Sequence, residues 1–102
     1  AANVKDMQGG RLTGEALVAA GETVYKLYCL ACHQADGRGL PGGAANFVDD
    51  PTRLAKTDEE LLAVIARGNE AKGMPAFGAF IGPGQRRAAL AYIRAKFGAP
   101  TP

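Results

Sequence analysis

The 102-residue chain has no tryptophan, one histidine and two cysteines. Cys29 and Cys32 are too few and too close for the disulfide framework of a small secreted domain, which spreads at least about four cysteines along the chain. Structural zinc needs about four Cys or His ligands, and Cys29, Cys32 and His33 are all the chain offers. No apolar run reaches the roughly 18 residues that cross a bilayer, so no membrane span is expected. Charge of one sign is missing as well. The balance of 12 basic against 10 acidic side chains gives +2, too even for the clustered basic face of a nucleic-acid binder. No alternating strand pattern is found, which argues against a thioredoxin-like Cys-x-x-Cys site, because that fold needs a βαβ unit.

What remains is the length of one small domain, with a modest core that often needs a staple such as a metal or cofactor. Residues 1–12 read as a polar, Gly-containing arm, and residues 13–102 as the domain. The start at Ala1 without an initiator Met fits a processed, exported chain and a trimmed one alike. A first helix, capped by Thr13 or Gly14, carries Leu17, Ala20/Gly21, Val24 and Leu27/Tyr28 at helical spacing and is expected to run into the cysteines. Residues 34–56, with Asp36-Gly-Arg-Gly-Leu-Pro-Gly-Gly43, read as a long loop, and a loop of this length usually wraps something. Thr57-Asp-Glu-Glu60 is a capping box opening a second helix that stops at Gly68. Residues 69–84 read as loop. A last helix is predicted over 85–97, burying Ala89, Leu90, Ile93 and Phe97 and ending at Gly98. The fold class is all-α: three main helices joined by long loops.

All the Cys and His of the chain lie in one run, Cys29-Leu-Ala-Cys32-His33. Two thiols one helical turn apart can each add to a vinyl group of one porphyrin. The imidazole that follows is then held over the iron as its proximal ligand. This pattern specifies covalent attachment of one haem c. A coincidental pair of small residues beside a surface histidine is the bland alternative, and the confinement of every Cys and His to this run argues against it.

Iron so held asks for a sixth ligand, and with no second histidine the soft donors are Met7 and Met74. Met7 lies in the polar arm. Met74 stands between Gly73 and Pro75, in a loop that returns to Phe77 and Phe80. Glycine permits close backbone approach and proline stiffens the turn. A lone methionine in a loop is more often core filler, but the lack of rivals selects Met74.

With these residues in view, the chain resembles the class I cytochromes c, small bacterial proteins with one His/Met-ligated haem. The resemblance covers about residues 14–98. It is carried by Gly21-x-x-x-Tyr25-x-x-x-Cys29-x-x-Cys32-His33, Asp36-Gly-Arg-Gly-Leu-Pro-Gly42, Arg67-Gly68, Met74-Pro-Ala-Phe-Gly78 and Leu90-Ala-Tyr-Ile93. It implies the cytochrome c fold, with loops wrapping one covalent haem. It also implies a close crossing of first and last helices at Gly21, Tyr25 and Tyr92. The Pro41 carbonyl is implied as acceptor for the outward imidazole nitrogen of His33. Leu40, Phe47, Leu54, Ile65 and Phe77 become pocket candidates, each equally suited to plain core packing. Arg53 becomes a candidate partner for a haem propionate, and Asn46 a weaker one. Arg86 and Arg87 depart from the family, where acidic residues often open the last helix. With Arg94 and Lys96 they make a basic helix, read either as a solvated face or as a docking surface for an acidic partner.

The function so implied is outer-sphere transfer of single electrons between redox protein partners, a donor and an acceptor, with no substrate transformed. An alternative is a cytochrome c subunit or domain of a larger oxidoreductase, gripped by the arm. A gas-binding or peroxidatic haem with an open sixth position is a third, opposed by the Met74 loop. Because haem c is attached outside the cytoplasm, the resemblance implies a periplasmic location.

Overall fold

Glycine and small residues let the first and last helices meet. A computed structural model of the chain describes residues 14–39, 46–50 and 52–98; the arm with Met7, and Leu40 and Pro41, lie outside the described residues. Helix α1, Gly14–Tyr28, buries Leu17, Ala20, Gly21, Val24 and Tyr25, the i, i+3, i+4 stripe of a helix with one covered side. It packs on α4, Pro83–Phe97, which buries Ala88, Ala89, Leu90, Tyr92 and Ile93. At Gly21 a Cβ would lie 1.8 Å from the Ala88 carbonyl oxygen and 2.9 Å from Tyr92 Cβ. Only glycine fits that crossing. Tyr25 and Tyr92 close over it with ring centroids 5.2 Å apart. The expected Gly21–Tyr25–Tyr92 contact is therefore present.

The buried stripe ends one turn earlier than its spacing predicts. Tyr25 is 1% exposed, whereas Leu27 is 69% and Tyr28 38% exposed. The reason is the reach of the partner helix: α4 ends at Phe97, whose ring stands 5.7 Å from that of Tyr25. Beyond that point Tyr28 turns to Phe77 and Phe80, with centroids at 6.2 and 6.0 Å.

Helix α1 also does not run through the cysteines. It stops at Tyr28, and a four-residue helix α2, Leu30–His33, follows a turn at Cys29. The N–H groups of Cys32 and His33 both donate to the Cys29 carbonyl, at 3.2 and 2.9 Å.

Helix α3, Asp58–Arg67, has the expected bounds. The Thr57 hydroxyl oxygen accepts from the Glu60 N–H at 3.2 Å, and Asp58, Glu59 and Glu60 place negative charge at the positive end of the helix dipole. Gly68, at φ 74°, ends it.

Residues 69–84 are more ordered than a plain loop. Asn69 and Met74 form an antiparallel bridge through two N–H···O bonds of 2.9 Å, around a 3₁₀ turn Glu70–Lys72 and Gly73 at φ 79°. A second 3₁₀ turn spans Phe77–Ala79. Helix α4 starts at Pro83 rather than residue 85 because proline suits the first helical position, and Gln85 Oε1 accepts the Gly82 N–H at 3.1 Å. Phe97 is half-buried rather than buried. Among the described residues there is no strand, only helices and turns.

Candidate haem site

The short helix α2 presents the cysteine motif on a turn wired to its surroundings. The His33 carbonyl accepts from the Gly39 N–H at 3.0 Å, and the Gln34 N–H donates to the Leu30 carbonyl at 2.8 Å. Gln34 has φ 68° and ψ 164°, and is the only non-glycine residue with positive φ among those described. Its carbonyl accepts the buried Tyr25 hydroxyl at 2.6 Å. Burial pushes that hydroxyl well above its ordinary pKa, so it remains a donor.

Cys29 and Cys32 are not joined in a disulfide, and the first is half-buried while the second is exposed. Burial, then the neighbouring Cys32, pushes the Cys29 thiol up to about 11. Among the described residues no group of three or more His, Cys, Asp or Glu side chains comes together to hold a metal ion directly. A donor set of two thiols beside an imidazole, not gathered into a cage, fits a flat macrocycle with two points of attachment and one axial ligand.

The apolar surroundings fit the same group. The His33 ring lies stacked on Phe47, centroids 4.5 Å apart and planes 19° from parallel. Tyr28, next to Cys29, brings the end of α1 against Phe77 and Phe80, whose own centroids are 5.3 Å apart. Phe77 is buried, but Phe80 is 56% exposed. Helix α3 has a capped, amphipathic sequence yet buries no residue: Leu61, Leu62 and Ile65 are all half-exposed. Such a face is completed by an apolar body lying against it.

Met74 is half-buried in the bridged turn after α3. A Cβ at Gly68 would lie 2.6 Å from the Met74 carbonyl oxygen and 2.5 Å from that of Pro75, so the Met74 segment crosses directly over the end of α3. The structure therefore ties Met74 to α3 and Phe77 to the Cys29 end of α1. Leu54 packs with Tyr25, Tyr92 and Ile93, as do Phe47 and Cys29. Arg53 is exposed and its Nε pairs with Asp50 at 3.1 Å. Asn46 caps its own turn: Oδ1 accepts from the Val48 and Asp49 N–H groups at 3.0 and 2.9 Å. Pro41 and Leu40 fall outside the described residues.

Arg94, which the sequence places on a basic helix face, is a fastener. It donates to Asp58 at 2.6 Å, to the Leu54 carbonyl at 2.9 Å and to the Lys56 carbonyl at 2.7 Å. Nothing local in the sequence signals this, because its partners lie 36 to 40 positions away. Arg86 likewise turns inward, donating to the Ile81 carbonyl.

Comparison with known proteins agrees with this geometry. The family described as "Cytochrome C oxidase, cbb3-type, subunit III" matches residues 16–93. The "Cbb3-type cytochrome c oxidase subunit FixP" of Sinorhizobium medicae (strain WSM419) is 33% identical over 95 residues, covering 82% of this chain and 32% of that protein. The chain thus spans about a third of its relative's length. No solved structure matches.

Proposed function

The chain belongs to the cbb3-type subunit III family of cytochrome c domains, all-α and built for haem-based electron transfer, and from that premise we propose how its residues hold the cofactor and whom it serves. Residues 13–102 form the cytochrome c domain and residues 1–12 a preceding arm. Cys29 and Cys32 hold one haem c by thioether bonds; His33 and Met74 are its two axial ligands. Bound there, haem c supplies an iron that takes up and gives back one electron. The single observation behind this reading is the Cys29–His33 turn, with its imidazole against Phe47 and its neighbour Tyr28 against the Met74 loop at Phe77.

The chain's own residues keep that centre rigid and dry. The bridged turn at Met74 and its crossing over Gly68 hold the thioether sulfur through the main chain. Unchanged ligands in both oxidation states keep reorganisation small, and a thioether favours the reduced state, raising the potential. Phe77 and Phe47 exclude water. Arg53 keeps its Nε on Asp50 and offers its terminal guanidinium nitrogens to a haem propionate.

As a domain of an oxidase subunit, the protein relays electrons in a stoichiometric complex on the periplasmic side. The names of the matching family and of the relative favour this over a free carrier. Either way the protein is an electron carrier that transforms no substrate by itself. Size-exclusion with the native partners separates the two: a permanent complex supports the subunit, a fleeting one the free carrier. Ligation is tested by spectroscopy. Met74→Ala abolishes the weak far-red band of Met-ligated ferric iron while Met7→Ala leaves it; the reverse result overturns the assignment.

A further inference from the structure

His33 lies against another aromatic ring rather than an aliphatic wall. The Phe47 centroid is 4.5 Å from that of the imidazole at 19°, the spacing of a stacked pair. Phe47 is itself held. Its N–H donates to the Gly37 carbonyl at 2.8 Å, and it is backed by the Phe97 ring at 6.1 Å and 24°. Phe97 is seated where Gly37 has no side chain, since a Cβ there would lie 2.6 Å from Phe97 Cδ1. Its ring also meets those of Tyr25 and Tyr92, at 5.7 and 6.2 Å. His33, Phe47 and Phe97 thus form a near-parallel file anchored in the α1–α4 core.

We infer that Phe47 is a positioning residue for His33, its flat face setting the rotation of the imidazole plane while Phe97 holds Phe47 in place from the last helix. The inference rests on the haem reading above and adds to it a contact with the ligand rather than with the porphyrin. Ring rotation matters because the π lobes of an axial imidazole overlap one of two otherwise similar iron d orbitals. Their splitting, and with it the magnetic anisotropy of ferric iron, follows the plane of the ring. A hydrogen bond at the far nitrogen restrains that ring at one edge; a stacked neighbour restrains its face.

The test is electron paramagnetic resonance of the ferric holoprotein, with proton NMR of the haem methyl groups. Phe47→Leu keeps an apolar wall but removes the flat face, and is expected to move the largest g value and reorder the methyl shifts while covalent haem remains. Phe97→Leu, one layer back, produces a smaller change of the same kind, and Phe47→Tyr, which keeps the ring, restores the wild-type values. Leu17→Ala, in the separate core cluster at the start of α1, changes neither. Unchanged g values and methyl order in Phe47→Leu overturn the inference, as does an equal change in Leu17→Ala. Should Phe47→Leu fail to fold, Phe97→Leu and Phe47→Tyr decide alone, and wild-type values in Phe97→Leu overturn it. A wild-type protein lacking a low-spin ferric signal overturns the haem reading itself, and this inference with it.

Discussion

The buried hydroxyl of Tyr25 donates to the main-chain carbonyl of Gln34 at 2.6 Å, tying the first helix to the residue directly after His33. The same carbonyl accepts a longer bond from the Gly37 N–H, at 3.2 Å. Tyr25→Phe keeps the ring packed against Tyr92 and removes only the hydroxyl. The expected loss is about 1–2 kcal/mol, the cost of one buried hydrogen bond whose acceptor keeps a second partner. Urea denaturation of the holoprotein measures it, and an unchanged midpoint would show that the bond contributes nothing.

Gln34 occupies a backbone region open almost only to glycine, where another residue costs of order 1–3 kcal/mol. Glycine gives back part of that relief through its freer unfolded chain, about 0.5–1 kcal/mol. Gln34→Gly is therefore expected to stabilise the protein by roughly 1 kcal/mol. A lower urea midpoint in this variant would contradict the strain.

Arg94 grips two carbonyls and one carboxylate with a planar fork that lysine cannot reproduce. Asp58 is 68% exposed, so the ion pair itself contributes below about 1 kcal/mol. The carbonyl contacts dominate. Arg94→Lys should lose roughly 2 kcal/mol, whereas Asp58→Asn should lose well under half of that. Thermal melts of both variants make the comparison, and equal losses would place the energy in the ion pair.

Asp49 and Asp50 set an acid limit on the segment that carries Phe47. The Asn46 amide, then Arg38, holds the Asp49 carboxyl below its usual value, and Thr52, then Arg53, does the same for Asp50. A carboxyl lowered in the folded state adds stability above its unfolded pKa, and that stability is lost as pH falls through the folded value. Amide shifts of Val48, Asp49 and Thr52 should therefore hold steady down to the ordinary carboxylate range and move together below it. Raising salt should weaken the Arg38 and Arg53 contributions.

Local chemistry was legible and distant geometry was not. Thr57, Glu60 and Gly68 bracket α3 because a cap and a stop act within one turn of the chain, and the cysteine motif is legible for the same reason. The burial of Tyr25 in place of Leu27 depends on where α4 ends, which helical spacing in α1 does not contain. The separate turn at Cys29 follows an unbroken helical pattern. Arg94 reads as surface charge because its partners are distant in sequence, and Gln34 carries no residue-type signal for its left-handed φ.

Gly37 and Phe97 bear on how the fold closes. The ring that fills the space beside Gly37 belongs to the last residue of α4, and α1 has its main packing surface on that same helix. The surroundings of Cys29, Cys32 and His33 are therefore completed only when the far end of the chain docks. Until the two ends of the fold meet, the motif stays open.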